Sequence, residues 1–190
     1  MSTVKPIVLA IAGPNGSGKT VLTRSLPVCG VYVNADDIKK EYGLTDLEAA
    51  RQAEALRNKL LDMGMAFSFE TVLSTERNLL LLQKAKRHGY EVQCIYILTC
   101  DENINITRVR ARKAAGGHDV PEEKIRSRYH RSLALLPKLI KICDKILIYD
   151  NSAKPSLIFS KIKERSSFYP NEYWTETALR NLIGWYTNLL

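Results

Sequence analysis

Hydrophobic and polar positions fall along this chain in blocks, and the blocks alternate between two periods. Ile7-Val8-Leu9-Ala10-Ile11-Ala12 is apolar throughout, the pattern of a strand covered on both faces. Lys19 to Leu26 reads as a helix that Pro27 stops, because proline has no amide to give a helix interior. Val31-Tyr32-Val33-Asn34-Ala35 is a short second strand ending at Asp36 and Asp37. From Asp46 to Met63, Leu47, Ala50, Leu56, Leu60 and Leu61 supply apolar positions at helical spacing, and Gly64 ends the helix. Ala66 to Glu70 predicts a third strand, Glu76 to His88 a helix closed by Gly89, and Glu91 to Leu98 a fourth strand. Asp101 caps a helix carrying Arg108 and Arg112, and after Gly116-Gly117-His118 a further helix opens at Pro121. Lys145 to Tyr149 makes a fifth strand. The stretch from Lys154 is weakly patterned, with a closing helix expected near Trp174 to Leu189.

Strands alternating with helices, without repeats or low-complexity linkers, predict an α/β fold with a parallel sheet and helices on both faces. The 190 residues suit a single domain over 1–190, with a helical C-terminal tail at about 154–190. No apolar run is long enough to cross a membrane, and the N-terminus lacks the order of a secretory signal, so the expected location is the cytoplasm. Cys29, Cys94, Cys100 and Cys143 form no C-x-x-C pair, which predicts reduced core thiols in place of disulfides or zinc.

The turn after the first strand changes the picture most. Gly13-Pro14-Asn15-Gly16-Ser17-Gly18-Lys19-Thr20 satisfies G-x-x-x-x-G-K-[ST], in which glycines let backbone N–H groups turn inward around a phosphate, the lysine reaches the outer phosphates and the threonine hydroxyl meets magnesium. A strand before the loop and a helix after it are the context this motif requires. The expected fold class is therefore a P-loop NTPase three-layer sandwich with a five-stranded parallel sheet. Ligands of such sheets lie beyond the carboxyl ends of the strands, where Asp36, Asp37 and Glu70 stand.

The charge is +8, from 28 Lys and Arg against 20 Asp and Glu, and much of it falls between Arg108 and Arg131. Tyr129 is the only aromatic there, so the segment lacks the interleaved rings of a nucleic-acid surface and suits a small anionic ligand at least as well. Arg108 and Arg112 share a helix face, and Arg128 and Arg131, or Arg126, can face them from the next helix. Two helices around Gly116 and Gly117 make an arginine-bearing lid at about 108–131, able to exclude water on closing.

These motifs, with Tyr32-Val33-Asn34-Ala35-Asp36-Asp37-Ile38, Phe69-Glu70-Thr71-Val72-Leu73-Ser74, Gly116-Gly117-His118-Asp119-Val120-Pro121 and Asp150-Asn151-Ser152, resemble the short zeta-toxin-like P-loop kinases over about residues 5 to 155. The resemblance implies ATP and Mg2+ as cofactors, a hydroxyl acceptor with UDP-N-acetylglucosamine as leading candidate, and a small antitoxin as partner. It implies that Gly13, Asn15, Gly16, Ser17, Gly18, Lys19, Thr20 and Asn151 bind the nucleotide, and that Thr20 and Asp36 meet the metal. Asp36 matches the proposed base, acting with Lys19, Arg112 and Arg128, while Glu70, Thr71, Asp37 and Arg108 are expected at the acceptor. Two family positions after the strand-end glutamate, a threonine and an arginine, are Val72 and Ser74 here. The alternative is a nucleotide-switched ATPase that binds nucleic acid or protein through the basic stretch.

Overall fold

The computed structural model describes residues 5–23, 29–117 and 119–184. The expected continuation of the first helix through 24–27, His118 and the end of the closing helix lie outside the described residues. The elements are β1 Ile7–Ala12, α1 Lys19–Thr23, β2 Val31–Val33, α2 Ala35–Tyr42, α3 Asp46–Asp62, β3 Phe67–Thr71 and α4 Arg77–Arg87 in the first half. They continue with β4 Glu91–Leu98, α5 Glu102–Ala114, α6 Glu122–Ile142, β5 Lys145–Asp150, β6 Ser156–Ile162, β7 Arg165–Phe168 and α7 Glu176–Leu182.

One sheet runs β2-β3-β1-β4-β5-β6-β7. The first five strands are parallel, as expected, while β6 and β7 extend the sheet antiparallel and correct both the strand count and the helical tail. The hairpin joining β6 to β7 escapes the sequence because its turn is Lys163-Glu164, without the glycine or asparagine that marks tight turns; Lys163 itself takes φ 55°. Within the described residues the tail does carry a helix, α7, inside the stretch expected to be helical.

The second difference is α2. Asp36 and Asp37, expected in a strand-end turn, stand in the first turn of a helix capped by the Asn34 side chain, which accepts from the Asp36 amide. The apolar positions of α2 are Ala35, Ile38 and Tyr42, of which only the first two pack, half-buried, on the main core, so eight residues carry too short a pattern to announce a helix. By contrast α3 starts where predicted, behind a capping box in which Thr45 and Glu48 satisfy each other's amides.

Alternate side chains of the strands build two cores. Val8, Ala10, Phe67 and Phe69 pack with α3, α4 and α6 on one face; Leu9, Ile11 and Ile97 pack with Leu22 and Tyr32 on the other. A separate cluster of Ile106, Val109, Val120 and Ile125 joins α5 to the start of α6, and the second half of α6 enters the main core through Leu136, Leu139 and Ile140. The 21-residue α6 thus ties the lid to the sheet layer through its second half, while α5 ties it to the Asn151–Ser152 turn through Arg108. Among the described residues no helix is long and apolar enough to cross a membrane.

The α3–β3 connection depends on Tyr90, whose buried hydroxyl donates at 2.9 Å to the Met65 carbonyl, with Leu60 O at 3.1 Å and Leu61 O at 3.3 Å. Tyr90→Phe removes the bonds that hold the end of α3 to the start of β3, and the expected loss is about 1–2 kcal/mol. It is read as a lower urea midpoint with an unchanged slope.

Candidate active site

The loop after β1 turns through Gly13, Gly16 and Gly18 at φ 143°, 78° and 95°. All three glycines are required by neighbours as well as by backbone angle: a Cβ on Gly13 would lie 2.0 Å from the Ile97 carbonyl oxygen. A Cβ on Gly16 would lie 2.5 Å from the Asn105 carbonyl oxygen, and one on Gly18 would run into the Asn151 amide. Those same asparagines hold the loop. Asn105 Nδ2 donates to Asn15 O at 2.7 Å, and Asn151 Nδ2 donates to Ser17 O at 2.7 Å. In a trans peptide the N–H points opposite to the C=O, so tying back these two carbonyls turns the amides of Gly16 and Gly18 away from the scaffold, as an anion cradle needs. Asn105 is buried and fixed in turn by the Thr99 hydroxyl at 2.5 Å. The Ser17 hydroxyl is buried beneath the loop, with no hydrogen-bond partner among the described residues, so its side chain faces the protein interior.

Lys19 Nζ donates to Gly13 O at 2.7 Å and Pro14 O at 2.9 Å. Burial pulls its pKa down to about 8, against the raising fields of Glu70 and Asp36 and with a further lowering from Arg112. These four groups, expected on separate grounds, therefore share one electrostatic neighbourhood.

On the carboxylate side a hydrogen-bond chain links the loop to α2. The Thr20 hydroxyl donates to Glu70 Oε2 at 3.4 Å, Tyr32 OH donates to Glu70 Oε1 at 2.7 Å, Asn34 Nδ2 donates to Tyr32 OH at 3.2 Å, and Asn34 Oδ1 accepts from the Asp36 amide at 2.9 Å. Burial, followed by the Glu70 hydrogen bond, keeps Tyr32 protonated well above the usual phenol range. Asp36 and Asp37 are exposed and about 100° apart around the helix, with Asp36 acting on Lys19 and Asp37 on Tyr32.

Of the lid arginines, Arg128 reaches Asn15 Oδ1 at 3.4 Å, and the field of Arg112 acts on Lys19. Arg126 is bound to Glu102 at 2.6 Å and to Glu122 at 2.9 Å, and Arg110 also pairs with Glu122, so both stitch α5 to α6. Arg108, expected at the acceptor, donates to Asn151 O at 2.8 Å and Ser152 O at 3.2 Å, behind the turn that straps the loop. Thr71, expected there too, accepts from the Gly13 amide through its carbonyl and from Leu73 N and Asn78 Nδ2 through its hydroxyl, which locks the strand end.

Sequence reasoning missed Tyr32, Asn34, Asn105, Asp150 and Asn171. Asp150 is buried and accepts from the Ser152 hydroxyl at 2.5 Å and from Asn171 Nδ2 at 3.1 Å, tying the C-terminal segment to the Asn151 turn. Asn105, a polar residue on the apolar side of an amphipathic helix, is the one whose pattern carried a signal. Among the described residues no group of three or more His, Cys, Asp and Glu clusters as a self-sufficient metal site. Magnesium, however, commonly takes one or two protein ligands beside substrate phosphates, a donor set that Thr20 with the nearby carboxylates fits.

The Zeta toxin family model matches residues 1–163. An uncharacterized protein of Haemophilus influenzae is 29% identical over 123 residues, 62% of this chain and 88% of its own length. The AvrRxo1-ORF1:-ORF2 structure with ATP is similar at a TM-score of 0.72 and 17% identity over 94% of this chain; this chain spans 64% of that one. The PezAT toxin-antitoxin system of Streptococcus pneumoniae is similar at a TM-score of 0.60 and 21% identity, covering 97% of this chain and 80% of that one. At these identities the two structures establish a shared fold.

Lys19 generates a pH prediction. It is cationic below about 8 in the free protein, so above that pH a bound triphosphate must recruit the missing proton. Affinity for ATP is expected to fall by up to about tenfold per pH unit above that value, with proton uptake on binding visible by calorimetry in buffers of different ionisation enthalpy. Lys19→Met should bind weakly with no such inflection.

Proposed function

The chain belongs to the zeta toxin family, and from that premise we propose that it is a phosphotransferase moving the γ-phosphoryl of ATP to a hydroxyl of a small anionic acceptor, UDP-N-acetylglucosamine by family resemblance. The observation that carries the reading is the gathering of Lys19, Glu70, Asp36 and Arg112 beside the phosphate loop. Binding of nucleotide alone asks for the loop and its lysine; a carboxylate at the start of α2 and an arginine from a lid are what transfer adds.

In this reading the Asp36 carboxylate takes the proton of the acceptor hydroxyl. The hydroxyl oxygen bonds to the γ-phosphorus as the bond to the bridging oxygen breaks, and ADP leaves with that electron pair. Lys19, Arg112 and Arg128 meet the charge on the transferring oxygens, and the lid keeps water from competing as acceptor. Thr20 and Asp36, with Glu70 adjacent, would hold magnesium, which would supply positive charge at the phosphates. Tyr32 and Asn34 are positioning residues, because they fix Glu70 and the cap that sets Asp36.

Val72 and Ser74, where the family resemblance leads to a threonine and an arginine, leave part of the sugar-nucleotide contact unfilled, so the acceptor is the finer part of this proposal. A small antitoxin is the protein partner we assign by analogy with PezAT, in the cytoplasm where ATP is supplied. The pairing of Arg110, Lys113 and Arg126 with Glu122, Asp119 and Glu102 weighs against a bare basic face for nucleic acid.

Mass analysis of products from ATP with sugar nucleotides and other hydroxyl metabolites tests the reading; ATP consumption without a phosphorylated product rejects it. Asp36→Asn should retain ATP binding and lose about 100- to 10,000-fold in transfer, while Asp37→Asn stays close to the parent. Arg128→Ala should lower turnover far more than ATP affinity; an equal loss of both would make it a ground-state clamp.

A further inference from the structure

On the face of β3 opposite Glu70 lies a cation with no role in the chemistry above. Arg57, from the middle of α3, is 8% exposed, yet its buried Nε has no hydrogen-bond partner among the described residues. Its guanidinium carbon sits 4.9 Å from the Phe69 ring centroid, a contact that orients the group without neutralising it. Burial lowers its pKa, Glu54 opposes that shift, and Arg77 adds to it. Glu54 is itself paired with Arg77 at 3.3 Å. A buried Nε–H left in this condition is costly, because its desolvation is not matched by a hydrogen-bond partner, and it leaves the rest of the guanidinium to face the groove.

The surroundings point to what completes it. Arg57 lines a groove of about 310 Å³ between α3 and α4, together with Arg77, Asn78, Lys84 and Arg87, and Glu54 is its one carboxylate. Lys84 is held by Asp62 at 3.0 Å, which leaves the lining cationic. Asn78, on the wall, is fixed by Thr71 at 2.7 Å, so the groove has one rigid side attached to the strand that carries Glu70. A purely structural arginine would be expected to have its Nε bonded to a carbonyl or carboxylate. The phosphate loop lies on the other face of the sheet, where Leu22 of α1 packs on Leu9 and Ile11, so it cannot supply the anion.

We propose that the groove between α3 and α4 is an oxyanion site that takes a phosphate or carboxylate group of a small molecule against the Arg57 and Arg77 guanidinium groups. Guanidinium forks match both oxyanions bidentately, and the depth of Arg57 selects a compact anionic group over a broad acidic surface. The site goes beyond phosphoryl transfer and does not require it.

The experiment uses the Lys19→Ala protein, in which the phosphate loop has lost its ammonium, so that a response belongs to the groove. Inorganic phosphate, acetate and chloride are titrated separately at constant ionic strength, following the Arg57 Nε–H resonance by 15N NMR and the thermal midpoint. Phosphate or acetate should move that resonance saturably and raise the midpoint, with whichever acts at lower concentration naming the source of the oxyanion, and chloride should do neither. Adding Arg57→Met, which keeps an apolar stem over Phe69, should abolish the rise. Arg77→Ala, at a mostly exposed position, should weaken oxyanion binding by about tenfold with the fold intact. The proposal is overturned if the resonance follows chloride as it follows the oxyanions or answers none of them, or if Arg77→Ala leaves the affinity unchanged.

Discussion

Two carbonyl groups constrain this molecule more than any other pair. The phosphate loop can present amides to an anion only if the carbonyls of Asn15 and Ser17 are satisfied elsewhere, and Asn105 and Asn151 do this from elements far along the chain. Satisfying them brings α5 and the β5 turn against the loop so closely that Gly16 and Gly18 have no room for a side chain. The glycines of the motif are therefore set by the approach of the two asparagines as well as by φ. Thr99, Arg108, Asp150 and Asn171 act one step back, each fixing one of those asparagines or the turn that carries it. A fold in which β1 lies between β3 and β4, with β5 next, is what puts all of these within reach of one loop.

The carboxylate side follows a similar logic with charge added. Glu70 is held by Tyr32 and touched by Thr20, and the Asn34 cap fixes the first turn of α2, so Asp36 depends on the same chain of hydrogen bonds. Lys19 is poised between these carboxylates, which favour its charged form, and burial with Arg112, which disfavours it. Burial prevails. Such a lysine is a stronger partner for an arriving phosphate than a solvated one, since part of its desolvation is already complete in the free protein.

Legibility in the sequence tracked locality. The phosphate loop, β1, β4, β5 and α3 were readable because nearby residues carry each signal: a fixed motif, an apolar run, leucines and alanine at helical spacing. The helix α2 was not, because it is eight residues long and packs only Ala35 and Ile38, half-buried, on the core, and β6 and β7 were not, because Lys163-Glu164 turns the chain without a turn residue. The site divides the same way. Lys19 and Glu70 could be placed from their own neighbours, whereas the bond from Asn105 to Asn15 spans 90 residues and that from Asn151 to Ser17 spans 134. Arg108 and Thr71, expected at the acceptor from the family resemblance, have polar atoms that hold turns.

Lys19 and Arg57 belong to opposite faces of the sheet and share one physical condition. Each is a cation partly withdrawn from water without a carboxylate bonded to it: Lys19 lies on two carbonyl oxygens, and Arg57 on an aromatic ring. Replacing buried charges with apolar groups of similar volume is often neutral or stabilising, so stability alone gives no reason to keep either. For Lys19 the reason is the phosphate that its loop is shaped to receive. The same reasoning applied to Arg57, in a groove where cations outnumber the single carboxylate, requires an anion there too, and it reaches that conclusion without reference to the family or to the reaction.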